Sequence, residues 1–255
     1  MHLIKLADYT NYLLELRELR KENKEFAERN LGIKLPPNYL MYESFQLNYK
    51  KYYEDSILTA NWLINHLKPY VTFENIRILD WGCGPARIVR HLPIIIGSKA
   101  EIYGTDYNKR SIEWCKKNID GVQFNHNQLG PPLPYENNFF DTIYGISIFT
   151  HLSEEMHYKW IDELFRILKP GGVLFLTLHG KAFRIKLTNE ERDEFDKGKI
   201  VIKANTKEGH RTFGAYHPIS FVNDMIKKNI ILSHIEGEIR NGKPQQDIWI
   251  IKKKN

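Results

Sequence analysis

The sequence has too few cysteines for a cysteine-based architecture. Only Cys83 and Cys115 occur in 255 residues. A disulfide framework or a cysteine-ligated zinc site needs more such ligands at closer spacing. We therefore expect a protein of a reducing compartment, the cytoplasm, with no structural metal.

Long apolar runs are also missing. The first ten residues include Lys5 and Asp8, so no uninterrupted apolar segment of a secretory signal follows Met1. The strongly apolar stretches have the length of 173–178, far below the ~18 residues that cross a bilayer. We expect a soluble chain that does not insert into a membrane.

The composition that remains is ordinary for a globular protein. Hydrophobic residues make up 42% and charged residues 27% of the chain, and its length suits one or two domains. A net charge of +6, from 37 basic and 31 acidic residues, raises nucleic-acid binding as a question. The lysines are spread among glutamates, and no recognition module is apparent, so we do not expect nucleic acid as a partner.

Apolar periodicity predicts helices first and then an alternation. Helices are predicted over 8–30 and 55–67. From residue 76 onward, short apolar runs alternate with helical segments; the predicted strands are 76–80, 102–106, 140–145 and 173–178, and the predicted helices are 87–96, 109–118 and 154–168. This alternation indicates an α/β fold with a parallel sheet and right-handed crossovers.

The last third has a different pattern. Residues 181–217 contain nine basic and six acidic side chains with few apolar runs, which is typical of an insertion. A helix is predicted from Pro218 to about Asn229, because proline suits a first helical turn. Two strands, 230–235 and 247–251, follow it, and the Asn241-Gly242 pair between them predicts a tight turn.

A glycine loop is the sharpest local motif. The strand that begins at Ile78 runs into Gly82-Cys-Gly84, and a helix is predicted directly afterwards. Glycine lets backbone approach a ligand closely, and a helix start offers unpaired N–H groups. Asp106 ends the next predicted strand, 22 residues after Gly84, where an acid can accept both hydroxyls of an adenosine ribose.

The residues around the loop distinguish between two candidate ligands that contain adenosine. A dinucleotide site has a third glycine where this sequence has Arg87. Asp80, immediately before the loop, would repel a pyrophosphate but suits a cationic amino group. Adenosine at one end and an ammonium group at the other predict S-adenosylmethionine as the ligand.

The same segment resembles motif I of the class I S-adenosylmethionine-dependent methyltransferases. Asp80, Gly82 and Gly84 match that motif, Ala86 replaces a usual third glycine, and Asp106 matches the ribose-binding acid of the family. The segments 140–141 and 168–173 resemble the motif IV region and the turn into strand five. The resemblance covers about residues 50–180.

This resemblance implies a fold and a domain plan. We expect a Rossmann-like seven-stranded sheet with helices on both faces and an antiparallel last strand. Residues 1–70 would form a helical lid within the same domain, and Tyr49 or Tyr53 would close over the methionine moiety. Residues 71–255 would form the methyltransferase domain, in which the insertion at about 181–217 completes the acceptor pocket.

It also implies a set of cofactor contacts. Tyr107 would lie against the adenine face, residues 127–129 would line the adenine edge, and Ile146 would face the sulfonium. Cys83, between two glycines, is more typical of a small buried residue than of a nucleophile. The predicted residues that bind S-adenosylmethionine and its product S-adenosylhomocysteine are Asp80, Gly82, Cys83, Gly84, Asp106, Tyr107, Asn127, Gln128, Leu129 and Ile146.

On the acceptor side the sequence leaves alternatives open. His151 follows strand four and is a candidate general base, although a packing or orienting histidine fits as well. A base is needed only for an acceptor that is protonated in its ground state, since positioning supplies much of the acceleration of a methyl transfer. The predicted acceptor-binding residues are Ser147, His179, Arg211, Tyr216 and His217.

Further motifs resemble a bacterial subgroup of small-molecule methyltransferases. They are residues 131–134, 147–152 and 179–180. Members of that subgroup resemble enzymes of surface-polysaccharide or secondary-metabolite pathways, which implies methylation of an oxygen or nitrogen of a small polar metabolite. A sugar, phosphorylated or nucleotide-linked precursor fits the basic residues between Lys203 and Arg211. The alternatives are an RNA or protein methyltransferase and a catalytically silent cofactor-binding module.

Overall fold

The computed structural model describes residues 2–97, 99–204, 206–227 and 229–255. Its α-helices are α1 (His2–Glu18), α2 (Arg20–Arg29), α3 (Asn38–Ser44), α4 (Ser56–Leu67), α5 (Leu92–Ile96), α6 (Lys109–Asn118), α7 (Glu154–Ile167), α8 (Asn189–Asp196) and α9 (Ile219–Met225). Its strands are β1 (Arg77–Trp81), β2 (Glu101–Asp106), β3 (Gln123–His126), β4 (Phe140–Ile146), β5 (Leu168–Leu178), β6 (Val201–Lys203), β7 (Gly214–Tyr216), β8 (Ile230–Ile235), β9 (Ile239–Arg240), β10 (Lys243–Pro244) and β11 (Asp247–Lys252). A π-helical turn, Lys51–Asp55, precedes α4.

The main sheet has seven strands in the order β3-β2-β1-β4-β5-β11-β8. The pairs β2–β3, β1–β4 and β4–β5 are parallel, whereas β11 runs antiparallel to both β5 and β8. The predicted α/β Rossmann-like fold with an antiparallel last strand is therefore confirmed. In parallel sheets of this kind, ligands bind outside the carboxyl ends of the strands.

One compact unit comprises Met1–Asn75 and Cys83–His126. Its N-terminal part has a small core of its own: Met41, Tyr42, Leu47 and Tyr52 are all buried there. The side chain of Asn23 ties two segments of this core together, because its amide donates to Leu47 O (2.7 Å) and accepts from Tyr49 N (2.9 Å).

The second unit comprises Ile76–Gly82 and Asn127–Asn255. Most residues of β4 and β11, and all of β5 from Val173 to Leu178, are buried, which explains why these segments read as apolar runs in the sequence. Trp81, at the end of β1, packs on Phe149 and Trp160 with ring centroids 4.9 and 5.0 Å apart. It is a packing residue of this unit.

Several predicted elements have different bounds in the structure. The helix predicted over 8–30 is two helices, α1 and α2, that meet at Leu19. The helix predicted over 87–96 is confirmed only in its second half: a 3₁₀ turn, Val89–His91, precedes the five-residue α5. Pro93, which has no N–H to donate, allows a helix to begin there but not to run through it. The predicted helix from Pro218 ends at Met225, and Lys228 lies outside the described residues.

The insertion is a folded substructure and not only a charged loop. Outside Asn205, which is not among the described residues, it contains α8 and the β6–β7 pair. Leu187, Phe195 and Val201 form a small core there, and Thr188 caps α8 in a capping box with Glu191. Within the described part of the chain, no helix is long and apolar enough to cross a membrane.

Candidate functional site

The predicted glycine loop and acid meet in the first unit. Gly84 has a φ of +52°, and its N–H donates to Asp106 Oδ2 at 2.8 Å. Asn108 N donates to the other oxygen, Oδ1, at 2.7 Å, and Cys83 N donates to Thr105 O. The carboxylate of Asp106 is thus fixed in orientation at the carboxyl end of β2.

The buried position of Asp106 is electrostatically costly. Its side chain is only 8% exposed, and this burial raises its pKa above the ordinary value. The N–H groups of Asn108 and Gly84 lower it in part, whereas the neighbouring carboxylate of Glu43 raises it further. A ligand that brings hydroxyl donors would stabilise the ionised carboxylate here. Tyr107, next in sequence, is 44% exposed.

The N-terminal segment lies against this loop. A Cβ on Gly84 would stand 3.3 Å from the Cβ of Ser44, and Tyr52 donates its hydroxyl to Pro85 O at 3.1 Å. Asn108 donates to Glu43 Oε2 at 3.2 Å. The end of α3 therefore lies against Gly84 and Asn108. Sequence reasoning missed Glu43 and Ser44, because nothing in the local pattern of α3 indicates this contact.

The two tyrosines expected over the methionine moiety have other partners. The hydroxyl of Tyr49 donates to Asn38 Oδ1 at 2.6 Å. The ring of Tyr53 packs edge-on against His91 at 5.2 Å between centroids, and the Arg90 guanidinium lies over it at 5.4 Å. Contact of either tyrosine with the cofactor stays a prediction.

In the second unit, the end of β1 carries Asp80, and Gly82 follows it; both belong to the predicted cofactor motif. Asp80 is 5% exposed and lies opposite Tyr144 of β4. Gly82 has a φ of +79°, and a Cβ there would come within 2.2 Å of Ile148 Cδ1. A side chain at residue 82 would therefore collide with Ile148 as well as strain the backbone.

The segment 127–129 is held by hydrogen bonds within the second unit. Asn127 is buried, with its amide turned to Gln128 O, and Gln128 is exposed. Trp160 donates its indole N–H to Leu129 O at 3.0 Å. The cofactor roles predicted for these residues and for Ile146, which ends β4, remain predictions. Cys83, in the first unit, has a buried side chain, as expected for a small packing residue.

Ser147 has an unusual backbone conformation directly after β4. Its φ is +64°, a region that a residue with a side chain rarely occupies. Four hydrogen bonds to three residues hold it. Its N–H donates to Thr177 Oγ1 at 2.9 Å, Gln246 donates to its Oγ at 2.7 Å, and Thr150 Oγ1 donates to its carbonyl at 2.6 Å. Its Oγ also lies 2.9 Å from Thr150 Oγ1. Strain held in this way is typical of a functional position. Sequence reasoning missed all three partners.

Two of the predicted histidines are bound to one strand. His151 uses Nδ1 to donate to Phe213 O at 3.0 Å, and His179 uses Nδ1 to donate to Ala215 O at 3.1 Å. Burial lowers the pKa of both, that of His179 to about 3. Both side chains are half-buried, and the ring of His179 stacks on Phe183 with centroids 3.9 Å apart.

His217, the third predicted histidine, forms a buried pair with His157. His157 donates from Nδ1 to Ser153 O at 2.7 Å, and its Nε2 lies 2.8 Å from His217 Nε2. Burial lowers the pKa of His157 to about 4, so its Nε2 is an acceptor and His217 is the donor. Nδ1 of His217 is then a bare acceptor, and no partner for it occurs among the described residues.

The basic cluster of the insertion is partly neutralised. Lys203 forms an ion pair with Glu191 at 2.8 Å and donates to Lys186 O at 2.9 Å. Its ammonium also lies 5.6 Å from the ring centre of Tyr216. Arg211 is half-buried, and its positive charge lowers the pKa of His151. Arg211 is therefore a basic residue of the cluster that acts on His151, one of the predicted acceptor-side residues.

The comparisons with known proteins agree with this arrangement. Residues 78–172 match a family model described as a methyltransferase domain. The chain is 35% identical over 103 residues to a sterol 24-C-methyltransferase of Schizosaccharomyces pombe, a match that covers 38% of this chain and 26% of that protein. It is 27% identical over 122 residues to a demethylmenaquinone methyltransferase of Lactococcus lactis, covering 44% and 45%. The chain thus spans less than half the length of these curated relatives.

Solved structures share the fold over most of their length. A SAM-dependent methyltransferase of Methanosarcina mazei has a TM-score of 0.55 at 21% identity, covering 74% of this chain and 97% of that one. The magnesium protoporphyrin IX methyltransferase of Synechocystis, with bound SAH, has a TM-score of 0.56 at 12% identity, covering 93% and 98%. Residues 78–172 thus match the methyltransferase-domain model, and the chain shares its fold with solved S-adenosylmethionine-dependent methyltransferases.

Proposed function

We propose that the protein transfers a methyl group from S-adenosylmethionine to an oxygen or nitrogen atom of a small polar molecule. The observation that carries this proposal is the buried carboxylate of Asp106, which backbone N–H groups of Gly84 and Asn108 hold at the end of β2. A carboxylate fixed in this way keeps lone pairs for the two hydroxyls of a ribose. The bound cofactor would supply an electrophilic methyl group on a sulfonium.

The remaining cofactor contacts follow from the resemblance. The exposed ring of Tyr107 would cover adenine, and Asp80 would bind the ammonium group of the methionine moiety. Residues 127–129 would line the adenine edge, and Ile146 would face the sulfonium. The end of α3 supports a covered site, because a lid that excludes water strengthens every polar contact beneath it.

The acceptor would bind to the second unit. Ser147, His151 and His179 follow β4 and β5, and Tyr216 and His217 belong to the segment bonded to them. These side chains are buried or half-buried, so a group that reaches them must be small. For a hydroxyl acceptor, we propose that Nε2 of His151 receives the proton, which is the role of a general base.

The first test separates a small acceptor from a macromolecule. The protein is incubated with methyl-labelled S-adenosylmethionine and, separately, with bacterial small metabolites, total RNA and lysate protein. We expect label in the metabolite fraction alone, with heat-inactivated protein as the control. Label in RNA or protein, or in no fraction, would contradict the proposed function.

Within the class of small acceptors, we favour a phosphorylated or nucleotide-linked sugar of surface-polysaccharide synthesis. Its support is the resemblance of residues 131–134, 147–152 and 179–180 to the bacterial subgroup, together with the position of Arg211. An arginine fork suits phosphate oxygens, and its charge lies near His151.

This acceptor class predicts an effect of Arg211→Ala. We expect affinity for UDP-glucose or glucose 1-phosphate to fall by about 10-fold or more, since a hydrogen bond to a charged group contributes about 1.5–3 kcal/mol. Isothermal titration calorimetry with S-adenosylhomocysteine present measures it. Lys207→Ala, at an exposed position of the same segment, should bind as the wild type does. Equal affinities of wild type and Arg211→Ala, or no binding by the wild type, would count against the anionic acceptor.

A further inference from the structure

The strand β7 presents two different edges. One edge pairs with β6, through Val201 with Tyr216 and Lys203 with Gly214. The carbonyl of Ala215 belongs to the other edge, and that of Phe213, the residue directly before β7, continues it; both accept from histidine side chains. Carbonyls two residues apart point to the same side of a strand and lie about 6.6–6.8 Å apart. His151 and His179 are therefore attached side by side to one strand edge.

The same bonds fix the tautomer of both histidines. A carbonyl can only accept, so Nδ1 carries the hydrogen in His151 and in His179. Burial lowers the pKa of each, and charge on His151 lowers that of His179, so both rings are neutral at neutral pH. Nε2 of each ring is then a lone-pair acceptor, and among the described residues neither Nε2 has a hydrogen-bond partner.

Neighbouring groups maintain this state. The charges of His210 and Arg211 lower the pKa of His151, and the neighbouring His217 is itself neutral by burial. His217 N donates to His179 O at 2.8 Å, so the row of hydrogen bonds made by Phe213 and Ala215 continues to His217. The buried Nδ1 of His217, for which the described residues offer no partner, is a third acceptor. The cluster therefore offers several nitrogen acceptors.

We propose that Nε2 of His151 and Nε2 of His179 form a two-point site for two adjacent hydrogen-bond donors of one neutral group, a vicinal diol or an amino alcohol. The inference rests on the proposed function, because it takes that group to belong to the methyl acceptor. One hydroxyl has a single proton and cannot donate to both rings, whereas neighbouring donors can. A carboxylate or phosphate group has no donor to offer here.

The site would therefore select among related acceptors. A deoxy analogue leaves one Nε2 without a donor, and an acceptor that loses its partner on binding lowers affinity strongly. The anionic part of a sugar phosphate would bind elsewhere, at Arg211, while its diol binds the two rings.

Long-range proton–nitrogen NMR of the imidazoles tests the first requirement. The ¹⁵N-labelled protein is saturated with S-adenosylhomocysteine, and the two rings are assigned by loss of signal in His151→Asn and His179→Asn. Both should show the Nδ1–H tautomer with a bare Nε2 at neutral pH. A proton on Nε2 of either ring overturns the inference.

Titration with small probes tests the second requirement. We expect cis-1,2-cyclohexanediol to shift both Nε2 resonances together, whereas cyclohexanol at equal concentration shifts at most one of them. His151→Asn and His179→Asn keep an amide for the bond to β7 and lose the acceptor, so each should weaken diol binding about 10-fold. His66→Asn, in the other unit on α4, should leave the titration unchanged.

The two proposals fail in different ways. Calorimetry on the same sample reports S-adenosylhomocysteine binding, and its absence contradicts the proposed function whatever the histidines do. Cofactor binding together with rings that ignore the diol, or with a response of one ring alone, contradicts this inference and leaves the proposed function standing.

Discussion

Replacement of Asp106 by alanine should weaken S-adenosylhomocysteine binding by about 100-fold. Two ribose hydroxyls would lose a charged acceptor, and hydrogen bonds to charged groups contribute about 1.5–3 kcal/mol each. A combined loss near 3 kcal/mol corresponds to roughly two orders of magnitude in Kd. The N–H of Gly84 also loses its acceptor, so the loop itself becomes less well held. Isothermal titration calorimetry measures the effect.

Controls separate a binding effect from a folding effect. Asp106→Asn retains one carbonyl oxygen and should lie between wild type and Asp106→Ala. Asp120→Ala, at an exposed position of the same unit, should bind as the wild type does, and thermal unfolding of each variant reports whether it is folded. A folded Asp106→Ala variant with wild-type affinity would show that the cofactor does not bind at Asp106.

The elements that the sequence predicted well have local signals. The helix predicted over 109–118 has the same bounds as α6, because Asn108 caps it by accepting from Arg110 N and Ser111 N. The Asn241-Gly242 turn is also confirmed, with φ values of +51° and +73° at its two central residues. Such signals lie within a few residues of the element that they define.

The elements that it missed depend on distant contacts. β3 has four residues, of which only Phe124 is buried, and its place in the sheet comes from pairing with β2. The segment after the glycine loop looks helical by its apolar residues, but Ala86 has a φ of +61° and the chain enters a 3₁₀ turn instead. Neither feature has a periodic pattern that a sequence could show.

Residues of the candidate site also fall into those with a local sequence signal and those that depend on distant contacts. Gly82 and Gly84 come shortly after one predicted strand and Asp106 ends the next, so strand ends alone predict that they lie at the carboxyl edge of the sheet. Gln246 is 99 residues from Ser147 and reaches it only because the chain returns through β8 and the β9–β10 hairpin. The carbonyls that orient His151 and His179 come from backbone of the insertion, and backbone contacts leave no trace in residue identity.

A buried acid beneath the loop that follows Leu129 organises that loop. Glu163 of α7 is 7% exposed and accepts from Leu133 N at 2.6 Å and from Arg166 Nε and Nη2, each at 2.7 Å. Arg166 in turn donates to Tyr135 O at 2.9 Å and to Asn137 Oδ1 at 2.8 Å. The Glu163 carboxylate thus holds the Arg166 guanidinium, which in turn binds the loop at Tyr135 and Asn137.

Glu163→Ala should lower the free energy of unfolding by about 3 kcal/mol, because the Leu133 N–H loses its charged acceptor and the Arg166 guanidinium loses two of its hydrogen bonds. Urea denaturation measures the change. Glu155→Ala, on the exposed side of the same helix and in a surface ion pair with Lys159, should unfold at the wild-type midpoint. The double variant Glu163→Ala, Arg166→Ala should lose less than the sum of the single changes, because the cation is removed together with its acceptor. Strict additivity, or a Glu163→Ala midpoint equal to that of Glu155→Ala, would mean that the loop is held by its own backbone and not by this ion pair.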